Sequence, residues 1–127
     1  MLSRIGDLGY GENRLRFQHL RADAEVFALT QAVTAETGVC LTSMMRGSRG
    51  FGRAARARQT AIYLAHVLLS RSQQDVAVMF NRDRTTVAHA VQMVEDRRDD
   101  ASVERLIQRI ERRYQRSQIA RRRGDVA

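Results

Sequence analysis

Apolar residues recur at steps of three and four from about residue 23 onward, a spacing that puts them on one face of successive helices. Val26, Leu29, Ala32 or Val33, and Ala35 or Glu36 trace the first, which Asp23 can cap and Gly38 can end. The stretch VCLTSMM, residues 39–45, suits a strand or a helix by length, and its helical surroundings favour a brief helix. From Arg53, Ala57, Ala61, Leu64 or Ala65, and Leu68 line a long helix that ends near Leu69. Ser72 can cap SQQDVAVMF, with Asp75 placed as a reciprocal capping acid and Val76, Met79 and Phe80 facing inward. Asn81 and Arg82 suit a tight turn, Asp83 can cap the next helix, and Val87, Ala90, Val91 and Val94 form that helix's buried stripe. After the charged RRDDAS, Ser102 can cap a last helix whose seam is Val103, Leu106, Ile107, Ile110 and Tyr114.

Proline is absent, and neither strand-like alternation nor a repeat of useful period interrupts this pattern. The expectation is an all-α domain of five to six helices, two of which form a helix-turn-helix around residues 81–83. A chain of 127 residues makes one such domain. Residues 1–20, with scattered charges and glycines, read as a flexible arm, residues 21–116 as the domain, and residues 117–127 as a mobile basic tail.

Charge narrows the partner. The formal net charge is +8 and all 22 Lys+Arg positions are arginine, which favours a polyanion: nucleic acid or an acidic membrane surface. Residues 46–58, RGSRGFGRAARAR, hold five of these arginines and no acid. No apolar run approaches the roughly 18 residues of a membrane span, and the first twenty residues lack the continuous apolar segment of a secretory signal. A cytoplasmic, nucleoid-associated protein without a membrane partner is expected. The lone Cys40 can form no intrachain disulfide and reads as core filler.

Two helices joined by a short turn let the second enter a major groove, where its first turn reaches base edges. Arg84, Thr85 and position 88 point away from the Val87–Ala90–Val91–Val94 stripe, which leaves Arg84 and Thr85 free to touch DNA. Arginine can bind guanine through two hydrogen bonds, and a threonine methyl can meet the thymine methyl. Asp83 has two available roles, as helix cap or as acceptor for a cytosine amino group.

The strings RQTAIYLAHVLL and SQQDVAVMFNRDRTTVAHAVQMVE resemble the C-terminal DNA-binding domain of the bacterial replication initiator DnaA, over roughly residues 25–115. That family shows RQ early in a long helix, S-x-x-E-I-G-x-x-F in the next, and RDHTTV-x-H-A in the recognition helix. Arg58, Gln59, Ser72, Val76, Phe80, Arg82, Asp83, Thr85, Thr86, Val87, His89 and Ala90 occupy the matching positions. The resemblance implies base contacts from Asp83, Arg84, Thr85 and Thr86, and backbone contacts from Arg53, Arg56 and Arg58, with Arg82 and His89 also in the DNA-binding set. It further implies a minor-groove arginine from the basic loop, a place that Arg46 or Arg49 can fill. Arg84 replaces the family histidine and Ala57 the usual proline, so the initiator's own recognition sequence does not transfer automatically. The initiator's ATPase phosphate loop is not among these residues, so binding of a duplex without its opening is expected. Gly47-Ser48-Arg49-Gly50-Phe51-Gly52 has neither the lysine nor the preceding strand of a nucleotide loop.

No enzymatic role is expected, since no catalytic pair, metal-ligand cluster or nucleotide loop emerges, and no cofactor is expected either. His19, His66 and His89 are too widely spaced for a local metal motif, and His66 reads as a packed or hydrogen-bonded residue. Glu95, Asp96, Asp99 and Asp100, beside Arg97 and Arg98, read as a solvated cluster at a helix end. The first reading is a sequence-specific double-stranded DNA-binding protein that regulates transcription, on the pattern of prophage or gene-transfer-agent activators. The rivals are a replication-control factor binding initiator sites, and a basic protein-interaction module. A footprint this short calls for help from dimerisation, repeated sites, a DNA-bending protein, a partner regulator or RNA polymerase.

Overall fold

A computed structural model describes residues 17–46 and 52–124. Among them are seven helices and no strand: α1 (Gln18–Ala22), α2 (Ala24–Thr37), α3 (Leu41–Met45), α4 (Arg53–Val67), α5 (Gln73–Phe80), α6 (Arg84–Arg97) and α7 (Ala101–Arg123). The all-α class holds, and the expected count of five to six is corrected to seven.

The additional helix is α1. Phe17 and Leu20 are buried, and α1 packs on α2 and α5, so packed structure begins ahead of residue 21. At the other end α7 runs seven residues past the expected limit of 116, to Arg123. Both extensions escaped the hydrophobic pattern because two apolar anchors carry the first and almost none the second.

Local chemistry explains the helix ends. The Val26 amide donates to Asp23 Oδ1 at 3.1 Å, opening α2, and Gly38 closes it with φ 75°, a left-handed conformation that a residue with a Cβ rarely adopts. The Asp75 amide donates to Ser72 Oγ at 3.0 Å, as the sequence suggests for α5. The cap of α7 is not Ser102 but Asp100, which accepts from the Ser102 amide at 2.8 Å and from its hydroxyl at 2.6 Å. A carboxylate at this place also meets the positive end of the helix dipole.

The centre of the domain is α4, which packs against α2, α3, α5 and α6. Ile62, Tyr63 and Leu64 lie within 1% of full burial, and Phe80, Val87, Leu29, Val33, Ile107 and Ile110 close around them. Burial of each large apolar side chain contributes about 1.5–3 kcal/mol. The α7 helix lays Ile107, Ile110 and Tyr114 against α2. Arg109 and Arg113 reach over the seam to Glu36 at 3.2 and 2.7 Å. Cys40, expected in the core, is exposed, with Sγ 3.2 Å from Ser43 Oγ. It immediately precedes a five-residue helix that buries only Met44 and Met45, so its own side chain has no core to enter.

Candidate nucleic-acid interface

The turn between α5 and α6 is built by backbone geometry. Asn81 takes φ 54°, its amide donates to the Val78 carbonyl at 3.2 Å, and the Arg82 amide donates to Ala77 at 2.9 Å. Paired bonds of this kind end a helix sharply on a left-handed residue, and asparagine tolerates that conformation better than most. The chain can therefore start a new helix with only three residues between the two.

In α6 the period of 3.6 separates two surfaces. Val87, Ala90 and Val94 are buried, while Arg84, Thr85, Thr86, Ala88 and His89 are exposed. Arg84 makes no ion pair or side-chain hydrogen bond among the described residues, and its position in the first turn suits contact with a partner outside the chain. Asp83 is the N-cap residue, yet its side chain accepts no capping hydrogen bond. The plainer of its two expected roles is thus not taken in this conformation, and the carboxylate stays exposed beside Arg84.

The far end of α6 is tied down. Tyr63 of α4 donates its hydroxyl to Glu95 Oε2 at 2.7 Å and accepts from Arg98 Nη1 at 3.1 Å. Arg98 holds both oxygens of Glu104 at 2.7 Å, and Arg97 Nη1 donates to Gln59 Oε1 at 2.8 Å. Burial pushes the Tyr63 phenol up from its ordinary pKa, and the Arg98 hydrogen bond works in the opposite direction. The acids expected to form a solvated cluster are divided among these tasks: Glu95 accepts from Tyr63, Asp96 accepts from Gln92, and Asp100 caps α7. Periodicity could not reveal this network, because its members come from three helices and look like surface polar residues in sequence.

The arginines fall into two groups. Arg58 is only 4% exposed, and its Nη1 donates to the carbonyls of Met44 at 3.0 Å and Arg46 at 3.2 Å. Burial, with the nearby Arg82 charge second, lowers its pKa from the ordinary value. Arg82 Nη2 donates to the Arg46 carbonyl at 2.6 Å and to Met45 at 3.3 Å. Both side chains therefore satisfy backbone acceptors at the end of α3. Arg58, which the resemblance places among the phosphate contacts, is buried here and holds the end of α3. Arg46, Arg53 and Arg56 are exposed, with Arg53 Nη2 donating to the Thr37 carbonyl at 2.8 Å. Arg49 lies outside the described residues, as do the rest of residues 47–51. His89 is exposed on α6, and His66 Nδ1 lies 2.8 Å from the Arg71 carbonyl oxygen.

An exposed polar turn at the head of a helix that follows a tight αα turn, with cationic side chains around it, defines a helix-turn-helix DNA-binding module. Residues 28–94 match the family model of the bacterial DnaA protein helix-turn-helix, more than half of the chain, and the chain belongs to that family. The matched stretch runs from within α2 to near the end of α6. No curated protein and no solved structure matches the chain. The helix-turn-helix of this family is a non-catalytic DNA-binding module. Among the described residues no group of His, Cys, Asp or Glu could hold a metal ion, and no helix is long and apolar enough to cross a membrane.

Proposed function

We propose that this domain binds specific double-stranded DNA sites by seating the first turn of α6 in the major groove, and that it acts in the control of replication initiation by occupying initiator-type sites. The observation that carries the proposal is the exposure of Arg84, Thr85 and Thr86 at the head of α6 in a chain of the DnaA helix-turn-helix family. Asp83 joins them as a base-contact residue. Arg46, Arg53 and Arg56 supply phosphate or minor-groove contacts, and Arg58 and Arg82 hold the end of α3 from which the basic segment departs. Phosphate contacts supply most of the affinity and α6 the sequence preference.

A second reading is carried by Arg84 itself, which stands where the resemblance expects histidine. Arginine favours guanine at the base pair it reads, so the preferred site shifts away from the initiator's and toward a separate set of regulated genes. Competition binding separates the two. Replication control requires a duplex carrying an initiator box to bind at least about tenfold tighter than unrelated DNA, a difference of about 1.4 kcal/mol. Indifference to the box, together with tight binding to some other selected sequence, gives the transcriptional reading.

A further inference from the structure

The longest helix, α7, lies beyond the stretch matched by the family model, and its outer face has an ordering of its own. Arg105, Arg109, Arg112, Arg116 and Arg123 follow one another at steps of four, three, four and seven residues, which stacks all five on one line along the helix. All five are exposed. The line lies opposite the buried seam of Ile107, Ile110 and Tyr114, and at 1.5 Å per residue it extends for roughly 27 Å.

Ordinary solvation accounts poorly for this face. A solvated helix surface commonly mixes signs so that residues four apart attract, whereas the pairs 105 and 109, 109 and 112, and 112 and 116 are all cationic and repel. The acids of α7 stand off the line, and Glu104 is already engaged by Arg98. Among the described residues, Arg109 alone of the five makes an ion pair, with Glu36. A bound polyanion would relieve this repulsion. A membrane surface fits less well, because an interfacial helix inserts its apolar face, and here that face is buried against α2.

The line also has a neighbour. A cleft between α2, α4 and α7 is lined by Arg53 and Arg56 on one side and Arg109 on the other, with Glu36, the partner of Arg109, also in its lining. The exposed arginines of α4 and the line on α7 therefore meet at one cleft. We infer that α7 grips the sugar-phosphate backbone of the same duplex outside the base pairs read by α6, lengthening the footprint through contacts that carry no sequence information. At 3.4 Å per base pair, the line spans roughly eight pairs of flanking DNA. This inference rests on the DNA-binding reading above and extends it to a helix outside the family match.

The test uses the full chain and one selected site placed centrally in duplexes of about 12 and about 30 base pairs, the shorter covering little more than one turn. The variant Arg105→Gln/Arg112→Gln/Arg116→Gln/Arg123→Gln keeps helix-forming residues and leaves both arginine pairs to Glu36 intact. The unaltered protein is expected to bind the longer duplex at least tenfold tighter, with a steeper salt dependence. The variant is expected to bind the short duplex within threefold of the unaltered protein, to lose the gain from length, and to flatten the long-duplex salt slope by about three to four. An equal gain from length in both proteins, or no gain in the unaltered one, overturns the inference while DNA binding stands. Failure of the unaltered protein on both duplexes at low salt overturns the inference and the DNA-binding reading together. Loss of binding to phosphatidylglycerol vesicles in the variant, with the gain from duplex length intact, overturns it in favour of a membrane.

Discussion

Arg82 Nη2 donates to the main-chain oxygen of Arg46 at 2.6 Å, so the turn leading into α6 holds the residue at which the chain leaves α3 for the basic segment. Arg58 donates to the same oxygen from beneath. Two cations converge on one helix end, where unpaired carbonyls make cationic donors favourable. The two regions proposed to contact DNA thus share an anchor inside the fold.

Arg58→Ala is expected to cost about 2–4 kcal/mol of stability, because it removes a buried, hydrogen-bonded side chain and strands the Met44 carbonyl. Arg56→Ala, two residues earlier and exposed, is expected to change stability by less than about 0.5 kcal/mol. It should instead weaken binding to all sequences and flatten the salt slope by about one. Urea unfolding and salt titrations of DNA binding check the pair. A stable Arg58→Ala protein with a flattened slope would return Arg58 to the phosphate contacts.

Arg84→Ala is expected to lower discrimination between sites by about 1–3 kcal/mol while leaving the folded state untouched, since the side chain is exposed and makes no ion pair or side-chain hydrogen bond among the described residues. Affinities for a selected site and for single-base variants of it provide the check. An unchanged ranking of those sequences removes Arg84 from the recognition set.

Asp83 gives a sharper contrast because its side chain makes no cap bond, whereas the Ser72 hydroxyl does. Ser72→Ala is expected to cost about 1 kcal/mol, the usual value of a lost cap. Asp83→Ala should cost clearly less and alter the preferred bases. Equal losses of stability, without a change of preference, would restore the capping role.

These residues also mark how far the sequence could be read. Ser72, Asn81 and Gly38 are each suited chemically to one task, so the ends of α2 and α5 are legible in the sequence. Ser102 and Asp100 stand two residues apart and both can cap, and sequence offered no basis for preferring the acid. Arg84 and Thr85 were legible as exposed because α6 has a clear apolar stripe. Arg58 was not legible as buried: in RAARAR it looks like its neighbours, and only the position of α3 shows which arginine points inward. The Tyr63, Glu95 and Arg98 network was hidden for the same reason, being tertiary and polar.

Stability should also depend on acid through Asp23. Hydrogen bonds from Arg71 hold the Asp23 carboxyl below its ordinary pKa, with the Val26 amide adding to the effect against the cost of burial. A group whose folded pKa is depressed stabilises the fold above its unfolded value, about 3.9, and loses that contribution as pH falls through the lower folded value. Asp23→Asn, which preserves a capping oxygen, is therefore expected to show a shallower loss of stability between about pH 5 and pH 2. Superimposable pH profiles for the two proteins would contradict this coupling.

Guanine-N7 methylation interference, on a duplex selected from a random pool by the unaltered protein, tests most directly whether the head of α6 reads bases in the major groove. The expected result is interference at guanines within the selected site, with the effect at one guanine abolished in Arg84→Ala while backbone contacts persist. Absence of major-groove interference at a tightly bound site, or an identical pattern in the variant, would contradict the account.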